Sequence, residues 1–580
     1  MRFVILYQPN GKSYINGEKE TIMESARKAG ISIENSCGAT GLCGKCKIQV
    51  VVGETNPVTE EEKQVFSKEE LDNGWRLACQ CIPKNLFQTL EVYVPEKKST
   101  EKIRWAVSAG EDWETIEWKF PDLQKEDGKK YGIAVDIGTT NIEAVLWDFE
   151  KGSCKGYVVS ENEQKKYGMD VISRITYTIG KKDSFHELCE CLQEQVAKLI
   201  KVLCAHAKIE DIEDKIAGID IVGNSVMMHF LAEQSVEVFQ KAPYEIVFRG
   251  GCRIEKKMDE KIAPWMLVPN IESFVGADTL GVLYYLENTS KIKYRKEETY
   301  LAIDIGTNGE LALQKNGKWY VCSTAAGPAF EGASISCGMR AGIGAIKGIK
   351  NRGDKAGDAR CEKKESFHRK ETRGRKNTLW ELESVEVSVI GGGEPAGICG
   401  SGLIELIAWV LDSKLAEESG YIYTREEAIR NGCNPCVAAC IEEGQQGNQI
   451  RLFESKEQSL YLTQKDIREV QVAKAAIATG IQCLLENCQV KEEEISSLYL
   501  AGAFGSYLSI EAANRIGLLP KLQQGKIQPI GNASLKGAVL MLAKNETLAE
   551  LEKYGKEVRH ISLVENPDFQ NRYLSNMLFK

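Results

Sequence analysis

The sequence predicts a multidomain chain, with a small β-rich α+β unit first and a longer run of α/β domains after it. Three observations predict this. Cysteines and glycines crowd one short loop between strand-like segments within residues 1–95. From Tyr131 onward, apolar strands alternate with amphipathic helices, as in α/β folds. An Asp-Ile-Gly-Thr hairpin occurs twice, at Asp136 and again at Asp304. The 580 residues correspond to about four domains. A composition of 43% hydrophobic and 27% charged residues excludes wholesale disorder and fibrous architectures.

Taken in order, Phe3–Tyr7 is an apolar strand, and Asn10-Gly11 is a hairpin turn signal because both residues tolerate positive φ. Thr21–Ala29 reads as a short helix, with Met23, Ala26 and Ala29 at helical spacing. Lys47–Val52 and Leu90–Val94 read as strands. Residues 96–130 are charged, carry Trp105, Trp113 and Trp118, and read as a linker with packed aromatics. The α/β part divides into a first half over 131–215 and a large domain over 216–580. Its strands include Ile133–Val135, Ile219–Val222, Leu301–Ile303 and Leu498–Ala501. Leu192–Leu203 and Val470–Leu485 read as core-facing helices. Residues 350–376 are rich in Lys and Arg without periodicity, and read as a solvated surface insertion rather than a nucleic-acid arm.

Net charge is −9, from 83 acidic and 74 basic residues, which argues against a nucleic-acid partner. No stretch reaches the ~18 apolar residues of a spanning helix. The N-terminus has no apolar run of secretory length. A cytoplasmic protein without membrane contact is the expectation. The 19 cysteines are too few, and the chain too long, for a disulfide scaffold. Clustered cysteines therefore point to a metal or cluster. Five scattered histidines argue against a histidine-built metal site.

The strongest chemical signal is Cys37-Gly-Ala-Thr-Gly-Leu-Cys43-Gly-Lys-Cys46, with Cys79 distant in Arg76-Leu-Ala-Cys79-Gln80. Three thiolates in one glycine-rich loop plus a distant fourth is how one chain wraps a [2Fe–2S] centre. Gly38, Gly41 and Gly44 let the backbone turn tightly and aim N–H groups at the sulfurs, which helps set the reduction potential. Structural zinc usually prefers two paired CxxC knuckles, and one such pair occurs here. The spacing resembles the adrenodoxin-like branch of ferredoxins, and Cys79 rather than Cys81 matches that branch's Arg-Leu-Ala-Cys context. Cys433, Cys436 and Cys440 read as free thiols in a helical segment, since no fourth ligand is obvious.

The two hairpins run Ile133-Ala-Val-Asp136-Ile-Gly138-Thr139-Thr140 and Leu301-Ala-Ile-Asp304-Ile-Gly306-Thr307-Asn308-Gly309-Glu310. Glycine lets phosphate approach the backbone, hydroxyls and N–H groups donate to phosphate oxygens, and the aspartate holds Mg²⁺, usually through water. Two near-identical copies imply two related half-domains facing one nucleotide. There is no Walker A sequence. The arrangement resembles the superfamily of acetate and sugar kinases, heat-shock chaperones and actin, abbreviated ASKHA. Leu500-Ala-Gly502-Ala-Phe-Gly505-Ser506-Tyr507 is similar to that superfamily's adenosine segment. Gly400-Ser401-Gly402 before a helix and Gly327 in Ala325-Ala-Gly327-Pro agree with anion-favouring turns.

The combination resembles the reductive activators of corrinoid proteins in anaerobic methyl-transfer systems. The likeness covers nearly the whole chain and includes Gly168–Arg174, Gly223–His229, Val275–Asp278, Gly393–Gly402 and Leu500–Tyr507. It implies a β-grasp ferredoxin-like α+β domain followed by α/β RNase H-like ASKHA ATPase domains. It implies Cys37, Cys43, Cys46 and Cys79 as cluster ligands, and ATP and Mg²⁺ as further cofactors. Asp136 and Asp304 would organise Mg²⁺ and phosphates. Gly138, Thr139, Thr140, Gly306, Thr307 and Asn308 would line the phosphates, with Gly502 and Gly505 shaping the adenosine pocket. The implied activity is ATP-driven delivery of one electron through the cluster to Co(II) of a corrinoid methyl carrier, restoring Co(I). A ferredoxin or flavodoxin is the expected donor and a homodimer the expected assembly. A small-molecule phosphotransferase, an electron donor to another acceptor enzyme, and a redox-sensing module are the competing readings. His229 reads as a helix histidine rather than a cobalt ligand, and Met227 and Met228 as core.

Overall fold

The computed structural model describes the chain apart from residues 1–2, 10, 17–18, 32, 34–38, 40, 42–43, 85–88, 96–102, 107–128, 180–182, 210–211, 241–243, 245, 247, 255–263, 333, 352–367, 372–377, 383–384, 445–446, 456–457, 506 and 524. It divides into two compact units, residues 1–278 with 538–551, and residues 279–537 with 552–580.

The first unit opens with a five-stranded mixed sheet in the order Lys12–Asn16, Phe3–Gln8, Leu90–Tyr93, Lys47–Val52, Trp75–Leu77. The first two strands form an antiparallel hairpin, and Phe3–Gln8 runs parallel to Leu90–Tyr93. Period-two alternation turns Ile5 and Tyr7 into the core and leaves Val4 exposed. The helix Ile22–Lys28 buries Ile22, Met23 and Ala26 in the same core. This is a β-grasp arrangement. Thr21 starts the helix with a capping box, its hydroxyl accepting from the Glu24 N–H and its own N–H donating to the Glu24 carboxylate.

The rest of the first unit is built on a seven-stranded sheet. Tyr131–Ile137, Asn141–Asp148 and Ser153–Glu161 form an antiparallel triplet, and Ile216–Gly223 lies parallel to Tyr131–Ile137 on its other side. Trp265–Leu267 then pairs parallel with Ile216–Gly223, and Cys252–Ile254 closes that edge. The 23-residue helix Ser184–His206 packs on the triplet. The second unit repeats this topology. Thr299–Ile305, Gly309–Lys315 and Lys318–Thr324 are the triplet, with Ile495–Ala501 parallel to the first strand and Ile527–Gly531 beyond it. Its long helix, Gln464–Asn487, packs on Gly309–Lys315 and Lys318–Thr324. Both lead strands show one burial pattern, a continuous apolar run broken only at the aspartate, as strands covered on both faces require. The shared topology is RNase H-like.

Three sequence boundaries need correction. The break at 215/216 cuts a sheet, because Ile216–Gly223 is hydrogen-bonded beside Tyr131–Ile137, so the first half runs on to Asp278. The linker 96–130 is not all connection: Ile103–Ala106 pairs with Ser153–Glu161 as an edge strand, while Trp113 and Trp118 lie outside the described residues. The insertion 350–376 has structured ends. Ala345–Asn351 runs into it, and His368–Glu371 within it pairs with Thr378–Leu382 in a five-stranded sheet. His368–Glu371 is four consecutive polar residues with no apolar alternation, so the sequence carries no strand signal there.

Candidate functional site

Cys46 and Cys79 come together. Both are buried, and their Sγ atoms stand 3.4 Å apart. A tetrahedral metal with thiolate bonds of about 2.3 Å holds two sulfurs roughly 3.8 Å apart, so the pair fits two ligands of one iron. Cys37 and Cys43 lie outside the described residues. Gly41 and Gly44 take the left-handed backbone conformation, with φ of +86° and +66°, within the cysteine-rich segment.

The turn that carries Cys79 is held from three sides. Arg76 and Glu62 form a buried bidentate pair at 2.9 Å and 2.9 Å. Glu62 Oε1 also accepts from the Leu77 N–H at 2.9 Å, and Arg76 Nη1 reaches Thr55 Oγ1 at 2.6 Å. Asn56 Nδ2 donates to the Gln80 carbonyl at 2.9 Å while its Oδ1 accepts from the Ile82 N–H at 2.7 Å. The N–H groups of Ile22 and Met23 donate to the carbonyls of Cys81 (2.9 Å) and Ala78 (3.0 Å). Helix donors that have no partner within the helix thus secure the cysteine turn. Burial pushes the Cys81 thiol up to about 11, which keeps it neutral. Sequence reasoning missed Glu62 and Asn56. The usable signal was Arg76 itself, a cation in an apolar strand that needs a buried counter-ion.

The other end of the Ile22–Lys28 helix is also clasped. Arg27 donates to Tyr177 Oη at 3.0 Å and to the Lys166 carbonyl at 2.6 Å, and its guanidinium lies 4.6 Å over the Tyr167 ring.

In the second unit, Asp304 stands directly across from Glu310 in the antiparallel register, which puts two carboxylates on one face. The Gly306 N–H donates to the Asn308 carbonyl at 2.9 Å, and the Gly327 N–H to the Thr307 carbonyl at 2.8 Å. Thr307 Oγ1 donates to Glu331 Oε1 at 2.7 Å. The adjacent parallel strand delivers Gly502 against Asp304. A Cβ at Gly502 would lie 2.5 Å from Asp304 Oδ1, and its φ is +79°. Asp304, Gly306, Thr307, Asn308, Gly327 and Gly502 therefore share one end of the sheet, joined by Glu310 and Glu331, which were not expected as site residues. Gly505 and Gly402 have packing reasons. A Cβ at Gly505 would meet Leu500 Cβ at 2.9 Å, and one at Gly402 would meet the Ile346 carbonyl at 2.2 Å. Gly400 and Ser401 are buried beside it at the start of the helix Gly400–Asp412.

In the first unit, Asp136 faces Glu143 in the same way, and the Tyr157 hydroxyl donates to Glu143 Oε2. Burial raises the Tyr157 phenol well above its ordinary value, so it stays a donor. The turn itself is braced from inside. The Gly138 N–H donates to the Asn141 carbonyl at 2.9 Å, and Asn162 Nδ2 to the Gly138 carbonyl at 3.0 Å. The Asn162 N–H takes the Thr140 carbonyl at 2.9 Å, and Arg174 Nη2 the Thr139 carbonyl at 2.5 Å. Arg174 is fully buried and also donates to the Gly168 carbonyl at 2.9 Å, so the Gly168–Arg174 motif is a strut behind the first hairpin. His229 is buried with Nδ1 2.7 Å from the Ser225 carbonyl and its ring edge-on to Phe239 and Phe248. Met227 and Met228 are core residues. Burial pushes the Cys433 and Cys440 thiols each up to about 11.

Comparison with known proteins agrees with this layout. Residues 7–84 match the 2Fe-2S iron-sulfur cluster binding domain, residues 131–290 the RACo middle region, and residues 298–580 the C-terminal domain of RACo, the ASKHA domain. The corrinoid activation enzyme RamQ of Eubacterium limosum is 34% identical over 475 residues, covering 79% of this chain and 72% of RamQ. The [Co(II) methylated amine-specific corrinoid protein] reductase of Methanosarcina barkeri is 24% identical over 470 residues, 77% of each chain. A solved reductive activator for corrinoid,iron-sulfur protein matches 100% of this chain and 98% of its own, with 26% identity and a TM-score of 0.62. With RamQ aligned along most of both chains, and a 2Fe-2S domain followed in order by the two RACo regions, this chain belongs to the RACo family of corrinoid-activating proteins.

Proposed function

We propose that the chain is an ATP-dependent reductive activator. It accepts one electron from a low-potential donor such as a ferredoxin or flavodoxin and passes it to Co(II) of a corrinoid methyl-carrier protein, restoring Co(I). The observation that carries this reading is one chain holding both a buried thiol pair 3.4 Å apart in a ferredoxin-type domain and a carboxylate-bearing phosphate hairpin at Asp304. The names of its relatives support the same acceptor.

When bound by Cys37, Cys43, Cys46 and Cys79, a [2Fe–2S] cluster supplies one-electron redox chemistry near ~−400 mV. Cys46 and Cys79 fit that role, being buried, converging, and held by the Arg76–Glu62 pair. In the second unit, Asp304 and Glu310 would hold Mg²⁺, Glu331 fixes the Thr307 side chain by accepting its hydroxyl proton, and Gly502 keeps the backbone clear of the Asp304 carboxylate. Co(I) formation lies below what a ferredoxin reaches unaided, and ATP supplies a conformational change that closes the gap. The protein acts in the cytoplasm as a homodimer.

The test is anaerobic absorbance of a Co(II) corrinoid carrier mixed with the protein, reductant and Mg-ATP. Co(I) bands should appear only with ATP and vanish in Cys46→Ser. Asp304→Asn should cut ATP turnover about a hundredfold. ATP consumption without Co(I) from any carrier would mean a different acceptor or a phosphotransferase.

A further inference from the structure

We infer that Gln80 tunes the reduction potential of the cluster by donating its side-chain N–H to the Cys79 sulfur, while tying the ligand-bearing loop to the Cys79 turn. Its Nε2 stands 3.6 Å from Cys79 Sγ and 3.1 Å from the Ala39 carbonyl oxygen. The carbonyl partner decides which end of the carboxamide is nitrogen, because an amide oxygen there would face another acceptor. The residue is half-buried, and its backbone carbonyl is fixed by Asn56. Its stem occupies the space left by the missing side chain of Gly41, where a Cβ would lie 3.0 Å from Nε2 and 3.2 Å from Cγ and Cδ. Backbone and stem are thus both pinned, and the amide is aimed at the sulfur by construction.

The direction of the effect follows from charge. Reduction adds one electron to the cluster and its thiolates, and no iron–sulfur bond need change. A donor N–H beside a ligand sulfur stabilises the more negative state, so it raises the potential. Gln80 touches a ligand and acts through it, which makes it a positioning residue rather than an electron carrier. It was visible in the sequence only as the residue after Cys79.

The inference rests on the cluster reading of the four cysteines. Its test is an anaerobic redox titration of the full-length, iron-loaded protein, of Gln80→Met and of Gln80→Glu. Methionine keeps the stem over Gly41 and removes the N–H. Glutamate keeps the shape and turns the donor into an acceptor. At a fixed potential the reduced-to-oxidised ratio should fall several-fold in Gln80→Met and further in Gln80→Glu, a tenfold fall being about 59 mV. ATP turnover should not change. An unchanged midpoint in fully loaded Gln80→Met overturns the inference and leaves the cluster reading standing. Pulsed EPR of the unsubstituted reduced protein, isotopically labelled at glutamine side-chain nitrogen, should show a nitrogen coupled to the cluster, and no coupling overturns the inference without any variant. A protein lacking iron and the [2Fe–2S] absorbance overturns both.

Discussion

Removing the Glu62 carboxylate strands the Arg76 guanidinium in the core, and a buried cation without its partner costs about 3–5 kcal/mol. Glu62→Gln should therefore lower the midpoint of chemical denaturation. It should also speed loss of the cluster absorbance on warming, because an amide NH₂ in place of Oε2 opposes the Arg76 Nη2 donor and loosens the anchor that also holds the Leu77 N–H and the Cys79 turn. Lys474 poses the opposite problem. It is fully buried in the Gln464–Asn487 helix, donating to the Leu578 carbonyl, and burial lowers its ammonium from 10.5 to about 8. Between those two values the unfolded chain binds more protons than the native one, so stability rises with pH across that window. Below about 8 both states carry the charge and the slope vanishes. Measured by denaturant titration, the stability of the parent relative to Lys474→Met should rise by about 3 kcal/mol from pH 8 to pH 10.5 and stay flat below pH 8.

Among elements, the turn after Ile495–Ala501 is the most sharply constrained. Gly502→Ala adds a Cβ 2.5 Å from Asp304 Oδ1 at a φ of +79°, so the carboxylate or the turn must move. ATP turnover should fall at least tenfold, by analogy with other strained active-site positions, while the melting temperature moves little if the rest of the sheet holds. The Ile22–Lys28 helix tells how much was legible. Its existence and its inward Met23 and Ala26 follow from helical spacing, although Thr21 and Ala29 are its caps rather than its first and last residues, and Lys47–Val52 has the bounds that its apolar run indicates. The Arg27 clasp on Tyr167 and Tyr177 was not legible, because its partners lie about 150 residues away and a cation on a short helix ordinarily faces water. Arg27→Ala should leave ATP turnover intact and raise hydrogen exchange in both Ile22–Lys28 and Val171–Ile179.

At the scale of the whole molecule, the duplicated hairpin announced the duplicated sheet. Asp136 and Asp304 occupy the same place in two strands of identical burial pattern, because the same local chemistry demands the same topology around it. The boundary between the halves was misread because the strand Ile216–Gly223 is separated from its neighbour by a long helix, and composition does not record which strands pair. The cysteine motif was legible as the mark of a 2Fe-2S domain. Its support by Glu62, Asn56 and Gln80 was not, since polar residues in turns look alike until their partners are known. A chain lacking residues 1–95 should keep ATP turnover and lose Co(I) formation entirely, as read by parallel phosphate release and cobalt absorbance.

The 3.4 Å approach of Cys46 and Cys79 also bears on how the protein must be matured and handled. Without iron, that closeness makes the thiols ready partners for each other, since a modest further approach closes a disulfide. Oxygen reaching the iron-free chain would tie up two of the four proposed ligands in a disulfide. Iron delivery has to precede any exposure to air, and a thiol reductant should reopen chains that were exposed first.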